Sequence, residues 1–374
     1  MTKIYFVRHC EGEGNATRRS QTLYDGLITT KGLRQSEALR DRFHDIPVDA
    51  VYSSDSHRAH IAADLVAEDH GLKPRYRRLL REYSVGVWDG LANGDVRRIY
   101  ADYLKYNDEH PGDTRFPGGD TYETIERRAA FMVQRLLEDH KDQTVVVLSH
   151  AYMLQILLNY VAGYPREEIG RISYGDNTAV SLVVEEEGKL RIEYMGDVSH
   201  LTPELRRGFT TGDRAAMDMP TYRFDEAEHR EILVQMDALL RESRGLPQQT
   251  EEECVAAAQA RMAQNRDYVT FLYQKGEPAG LVYMCRRADL NDEYAYMEDW
   301  YMDDDRRSKE FDLQMLGHAI HAARKENCRY LAIRKPDNEA DRRMVERFFF
   351  EEVPGHDDLL RLDVIPAPCR WPVI

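Results

Sequence analysis

Cysteine is scarce in this 374-residue chain: five residues (Cys10, Cys254, Cys285, Cys328, Cys369), widely spaced and without a C-x-x-C pair. An odd, scattered set disfavours a disulfide framework and a thiolate zinc site, and fits a reducing cytoplasm. Long apolar runs are missing too. Nothing approaches the roughly 18–20 apolar residues of a membrane helix, so no membrane is expected as partner. The start, MTKIYFVRH, offers one lysine and a short apolar strand instead of the apolar helix and small-residue cleavage site of a secretion signal. There is no basic excess either. The formal charge is −15, divided as −6 over residues 1–200 (26 basic, 32 acidic) and −9 beyond (25 basic, 34 acidic). Neither half carries the positive field that a nucleic-acid backbone demands. Any anion site must be a local concentration of arginine against the global sign.

What is present is ample apolar content, 42%, in a chain longer than one hydrophobic core, so two domains are expected. The first half alternates short apolar strands (KIYFVRH, VDAVYSS, QTVVVLSH) with amphipathic helical segments (TKGLRQSEALRDRF, SHRAHIAADLVAED, ETIERRAAFMVQRLLEDH, AYMLQILLNYVAG) and ends on two strands, NTAVSLVVEEEG and LRIEYMG. That alternation implies an α/β fold with a mainly parallel sheet covered on both faces. Glycine, proline and acidic residues gather over 201–219, which reads as a linker between residues 1–200 and a second domain over 220–352. Residues 353–374, with four prolines and several apolar residues including Trp371, Val373 and Ile374, read as an ordered extension laid over the body.

Three strand ends carry polar groups that a buried strand would not choose: Arg8 and His9 after IYFV, Ser53, Ser54 and then Arg58 after DAVY, and Ser149 and His150 after TVVVL. In a parallel sheet such carboxyl ends line one edge, where ligand crevices form. Guanidinium forks bind phosphate oxygens, and a neutral imidazole nitrogen can attack phosphorus in line. An alkoxide leaving group also needs a proton. The segment LLREYSVGVWDG offers Glu82, with Asp89 as competitor, and Glu82 is favoured. Taken singly, each residue has a plainer explanation, a strand-end histidine or a solvated charge; their joint occurrence argues against it.

With these residues in hand, residues 1–200 resemble the histidine phosphatase superfamily, the fold shared by phosphoglycerate mutases and many small phosphatases. Arg8-His9 resembles its Arg-His-Gly signature, Asn15 stands where the phosphate-loop asparagine is expected, and DGLITTKGLRQSEAL, VYSSDSHRAHIAADLV, LLREYSVGVWDG and VVLSHAYMLQILL follow in order. The resemblance implies a three-layer α/β/α domain and a metal-independent histidine acid-type phosphatase acting on a small phosphorylated metabolite. His9 would be phosphorylated, Arg8, Asn15, Arg58 and His150 would hold the phosphoryl oxygens, and Glu82 would give and recover the proton. Cys10 and Ala151 depart from the family's glycines, and their side chains are expected to narrow the space beside the phosphate. The 67 residues between Glu82 and His150 include PGGDT and lack the long arginine- and proline-rich insert of phosphoglycerate mutases. Hydrolysis is therefore favoured over mutase activity and over slow phospho-ligand binding. Arg18 and Arg19 are candidates for a second anionic group or a solvated loop pair, and Tyr24, Tyr83 and Trp88 for an aromatic wall.

The second half resembles the GCN5-related acetyltransferase fold in its element order, in the hairpin FLYQKGEPAGLVYM and in KPDNEADRRMVERFFFEEV. The resemblance makes acetyl-CoA the cofactor to test, with Arg306 and Arg307 in the pyrophosphate loop, and N-acetyl transfer the alternative activity. Against it, Lys309 and Phe311 stand where small residues are expected, Asp303, Asp304 and Asp305 precede them, Val345 replaces the thiolate-protonating tyrosine, and Phe349 replaces a glycine. The plainer alternative is a domain that packs against the first, shaping its entrance or a homodimer contact.

Overall fold

The computed structural model describes residues 1–173, 175–206, 214–370 and 373. Six strands form the first sheet: Thr2–Arg8 (β1), Ala50–Ser53 (β2), Arg75–Tyr76 (β3), Thr144–Ser149 (β4), Val180–Glu186 (β5) and Lys189–Asp197 (β6). Their order is β3-β2-β4-β1-β5-β6, parallel from β3 to β1 and antiparallel at β5 and β6. Alternation along β1 explains the layering. Ile4 and Phe6 pack with Ile125, Met132 and Leu157 from helices Tyr122–Asp139 and Ala151–Ala162, whereas Tyr5 and Val7 pack with Leu39, Phe43 and Val66 from helices Thr30–Phe43 and His57–Asp69. Arg8 pairs with Ser149, and Leu148 with Ser53. This register brings the three polar strand ends to one edge, as the sequence pattern predicts.

Seven strands form a second sheet: Thr221–Arg223 (β7), Val269–Gln274 (β8), Glu277–Cys285 (β9), Tyr294–Met302 (β10), Tyr330–Arg334 (β11), Glu351–Val353 (β12) and His356–Asp363 (β13), ordered β12-β13-β11-β10-β9-β8-β7. Only β10 and β11 run parallel, and they pair over Tyr294–Met297 alone before β10 shifts register at Met297/Asp299. The expectation of an extension over 353–374 is corrected here. Residues 356–363 form a strand that pairs with β11, with Leu360 and Leu362 packing on the main core of the domain and Leu359 on a smaller cluster at the opposite face. The last helix is also shorter than its sequence pattern, Glu339–Glu346, since the chain turns into β12 after FFF. Beyond 363 the chain does lie over the first domain: the Cys369 thiol donates to the Asp55 carbonyl at 3.2 Å, and Val373 bridges to Tyr76. Trp371 and Ile374, and residues 207–213 of the expected linker, lie outside the described residues.

The two domains meet where helix Leu313–Lys325 crosses the short helix Glu13–Ala16. A Cβ on Gly317 would stand 2.3 Å from the Thr17 Cβ, so glycine is what permits this approach. Among the described residues no helix is long and apolar enough to cross a membrane.

Candidate active site

The turn after β1 places His9 at the sheet edge, buried to 5% exposure. Its Nδ1 lies 2.7 Å from the Cys10 carbonyl oxygen. A carbonyl only accepts, so Nδ1 carries the proton and Nε2 keeps its lone pair. His150 is fully buried, its ring centroid 5.0 Å from that of His9. Arg58 Nη2 donates to His150 Nδ1 at 3.1 Å, which leaves Nε2 as the protonated nitrogen donating to Ser54 Oγ at 2.8 Å. Burial, then the neighbouring Arg58 and His9, hold this imidazole well below the usual range, in its neutral form.

Arg58 is buried on the first turn of helix His57–Asp69, and its Nη2 also donates to the carbonyls of Gln21 (3.2 Å) and Thr22 (3.3 Å). Among the described residues its Nη1 has no hydrogen-bond partner, and its ion pair with Asp25, 3.6 Å away, is a loose one. A buried guanidinium nitrogen in that state is a ready donor for an anion. Arg8, at the end of β1, donates from Nη1 to the Gly175 carbonyl at 2.9 Å. Asn15 Oδ1 accepts from Gly12 N (3.1 Å) and Asn177 Nδ2 (3.3 Å), which orients the amide.

Glu82 follows a 3-10 turn, Arg78–Leu80, and its carboxylate sits against the N-terminus of helix Ala151–Ala162, directly after His150. It accepts from Met153 N (2.9 Å), Tyr152 N (3.2 Å) and Tyr83 N (3.2 Å). Burial raises its pKa above the ordinary carboxylate range, against the pull of these amides and of Arg58. Asp89, the competing carboxylate, is committed elsewhere. It accepts from Thr22 N (2.8 Å), Thr22 Oγ1 (3.0 Å) and Tyr24 N, pinning the loop whose carbonyls hold Arg58.

Several expectations change. The Cys10 side chain does not narrow the cleft: it is fully buried, donates from Sγ to the Arg58 carbonyl at 3.1 Å, and burial pushes its thiol up to about 12. Neither Cys10 nor Ala151 adopts a left-handed backbone, and Ala151 opens a helix. Arg19 is not a solvated loop residue: it is buried and donates to the Gly90 carbonyl at 2.7 Å, while Arg18 pairs with Asp218 at 2.6 Å. Trp88 packs in a core with Val85 and Val96, and Tyr24 bonds Glu13 at 2.6 Å; Tyr83 stacks obliquely on Phe116 and Tyr152 next to Glu82.

Sequence reasoning missed three groups. Asn177 is fully buried and donates to the His9 carbonyl at 3.0 Å; the polar GDNT before β5 was its only signal. Arg324 clamps the fully buried Glu13 through two bonds, 2.7 and 2.8 Å, and Arg347 clamps the buried Glu11 through two more, 3.1 Å each. Both arginines come from the second domain and grip the segment between His9 and Asn15 from behind.

The loop of the second domain that would cradle pyrophosphate is closed on itself. Arg307 pairs with Asp341, and Arg306 donates from Nε to Gln274 at 2.8 Å and pairs with Asp303. The amides of Lys309, Glu310 and Phe311 bond carbonyls within the loop at 3.0–3.2 Å, and Phe311 is buried in the core. The cavity left between this loop and helix Glu339–Glu346 is about 140 Å³, against about 300–1,000 Å³ for sites that enclose drug-sized molecules. Arg306 and Arg307 therefore do not fit acetyl-CoA, and Val345 is buried where a proton donor would stand.

Comparison with known proteins agrees with this architecture. The model of the histidine phosphatase superfamily (branch 1) matches residues 4–198, and that of the acetyltransferase (GNAT) family matches residues 233–350. The chain belongs to the histidine phosphatase superfamily. It is 27% identical over 202 residues to phosphoserine phosphatase 1 of Hydrogenobacter thermophilus, covering 54% of this chain and 95% of that one. To phosphoglycerate mutase-like protein 4 of Arabidopsis thaliana it is 30% identical over 220 residues, 57% of this chain and 94% of the relative. Among solved structures, Bacillus stearothermophilus YhfR superposes with a TM-score of 0.50 at 26% identity, covering 54% of this chain and 99% of that protein. The relatives support a phosphatase of the histidine type.

Proposed function

We propose that the protein hydrolyses a small phosphomonoester, without a metal, through a phosphohistidine on His9. The observation that carries this reading is the Nδ1 bond of His9 to the Cys10 carbonyl, which leaves Nε2 unprotonated in a ring 5.0 Å from that of His150, itself bonded to Arg58. The phosphoryl oxygens are held by Arg8, Arg58 and Asn15, and by neutral His150 once its Nε2–H turns from Ser54 to the phosphoryl group; the guanidinium charges need no reorganisation as charge shifts in the transition state. The lone pair of His9 Nε2 forms a bond to phosphorus as the P–O ester bond breaks, and the departing alkoxide takes the proton of Glu82. Burial of Glu82 supports its role as that acid. Water then loses a proton to the Glu82 carboxylate and attacks phosphorus, the P–N bond returns its electrons to the imidazole, and inorganic phosphate leaves. Acyl transfer by the second domain is not favoured, because its arginines and loop amides are already bonded internally.

The test is phosphate release from a metabolite panel in the presence of EDTA, with His9→Ala alongside. Wild type is expected to turn over and to yield acid-labile phosphate on His9 when quenched; His9→Ala is expected to do neither. Full turnover by that variant, or loss of wild-type activity on chelation, overturns the proposal.

A further inference from the structure

A cavity of about 630 Å³ lies at the seam of the two domains. Arg8 and Asn15 of the candidate site border it on one side, and Ser308, Lys309, Glu310 and Arg347 of the second domain border it on the other. Its wall carries seven basic side chains against three carboxylates, in a chain whose formal charge is −15. Gathering cations in a cleft against the global sign raises the local concentration of anions.

How these cations are partnered matters more than their number. Arg347 is matched by Glu11 and Glu310. Lys31 and Arg206 are not matched in this way: among the described residues the Lys31 Nζ donates to the Arg206 carbonyl at 2.9 Å, and the Arg206 Nε donates to the Leu201 carbonyl at 3.1 Å. Among the described residues neither side chain forms an ion pair, although Glu204 borders the same wall. Among the described residues Lys309 pairs with Asp305 alone, four residues earlier across the short helix Asp304–Ser308, and its side chain is 54% exposed. Two non-glycine residues of this wall, Arg18 (φ 56°) and Glu310 (φ 61°), are held in the left-handed region. Such backbone strain clusters where a loop is shaped for a ligand.

We propose that the second domain completes the phosphatase's substrate site. Lys309, with Lys31 and Arg206 opposite, receives a second anionic group, phosphate or carboxylate, at the far end of a phosphomonoester whose ester phosphate lies at His9. The inference rests on the phosphatase reading and extends it to a substrate class. A cavity of 630 Å³ exceeds what a lone phosphate fills and falls within the range that encloses an elongated metabolite. It also accounts for the departures in the loop: Lys309, which would obstruct a pyrophosphate cradle, here faces the neighbouring domain's cleft.

The experiment compares the full-length wild type with Lys31→Glu/Lys309→Glu on p-nitrophenyl phosphate, 3-phosphoglycerate and fructose 1,6-bisphosphate. Wild type is expected to favour at least one of the last two over p-nitrophenyl phosphate by tenfold or more in kcat/KM. In the double variant the KM for that substrate is expected to rise at least tenfold more than the KM for p-nitrophenyl phosphate, with the loss in KM rather than kcat. Lys31→Arg/Lys309→Arg should restore most of it. Preference for 3-phosphoglycerate assigns the second group as carboxylate, and preference for the bisphosphate assigns it as phosphate. Equal changes on all three substrates, or no wild-type preference, overturn the inference while leaving hydrolysis intact. Failure of the wild type to release phosphate from any of them removes the phosphatase reading, and this inference with it. An independent measurement on wild type alone, the rise in KM between 20 and 200 mM salt, should be steeper for the second-anion substrate; equal slopes count against the inference.

Discussion

Replacing Arg324 with methionine should be among the most damaging single changes outside the candidate site. The side chain of Arg324 is 12% exposed and that of Glu13 is fully buried, joined by two bonds of 2.7 and 2.8 Å. Arg324 also donates to the Val364 carbonyl at 2.6 Å and lies 5.1 Å from the Tyr24 ring centre. Removing one partner of a buried pair costs about 3–5 kcal/mol, because the other charge stays buried without compensation. Glu13 would retain the Tyr24 hydroxyl at 2.6 Å and the Leu27 amide at 3.1 Å, so about 3 kcal/mol is the reasonable expectation. Glu13 opens the short helix that carries Asn15, so phosphatase activity should fall together with stability. Urea unfolding followed by tryptophan fluorescence, with parallel assays on p-nitrophenyl phosphate, measures both. The double variant Glu13→Gln/Arg324→Met should recover much of the loss, since it removes the uncompensated charge. A loss under about 1 kcal/mol in Arg324→Met, or a double variant no better than the single, would refute the reasoning.

Glu82→Gln should lower kcat by about 10²–10⁴, the usual worth of a general acid and base. Because burial raises the Glu82 pKa in the fold, the unfolded chain loses this proton first, so its ionisation costs stability progressively as pH rises above about 4.3. Glu82→Gln should therefore be more stable than wild type at pH 8 and lose that advantage towards pH 4; urea midpoints across that range check it, and a constant difference would contradict it. Buried histidines act in the opposite direction. His57 and His318 are lowered to about 4 by burial, and His150 lies well below its usual value, so all three stay neutral in the fold while the unfolded chain protonates near 6.5. Stability should fall as pH drops from about 6.5 towards 4, by roughly 1 kcal/mol per pH unit for each; His318→Gln should flatten the slope measured by denaturation at stepped pH.

Much of the candidate site is legible in the chain because its signals are local. An apolar run that ends abruptly in Arg-His or Ser-His marks a strand and its carboxyl end together, and parallel pairing brings such ends to one edge. What sets Asp89 apart from Glu82 was not legible: Asp89 is occupied by Thr22 and Tyr24, more than sixty residues away. Boundaries were less legible where elements are short. The break at 352 fell inside a hairpin because VPGHDD reads as a turn leading outward, whereas it returns the chain into the second sheet.

By itself, then, the order of amino acids determined the α/β layering, the polar strand ends and the histidine-phosphatase signature, since each depends on hydrophobic period and residue type within a few positions. Only the tertiary structure decided the partners of the charges. Glu13 meets Arg324 across 311 positions and Glu11 meets Arg347 across 336, while Arg306 and Arg307 are matched by acids and an amide inside their own domain. A charge carries no local mark of its counterion. The pairing is set by which surfaces close on one another when the chain folds, and that closure is what joins the second domain to the segment between His9 and Asn15.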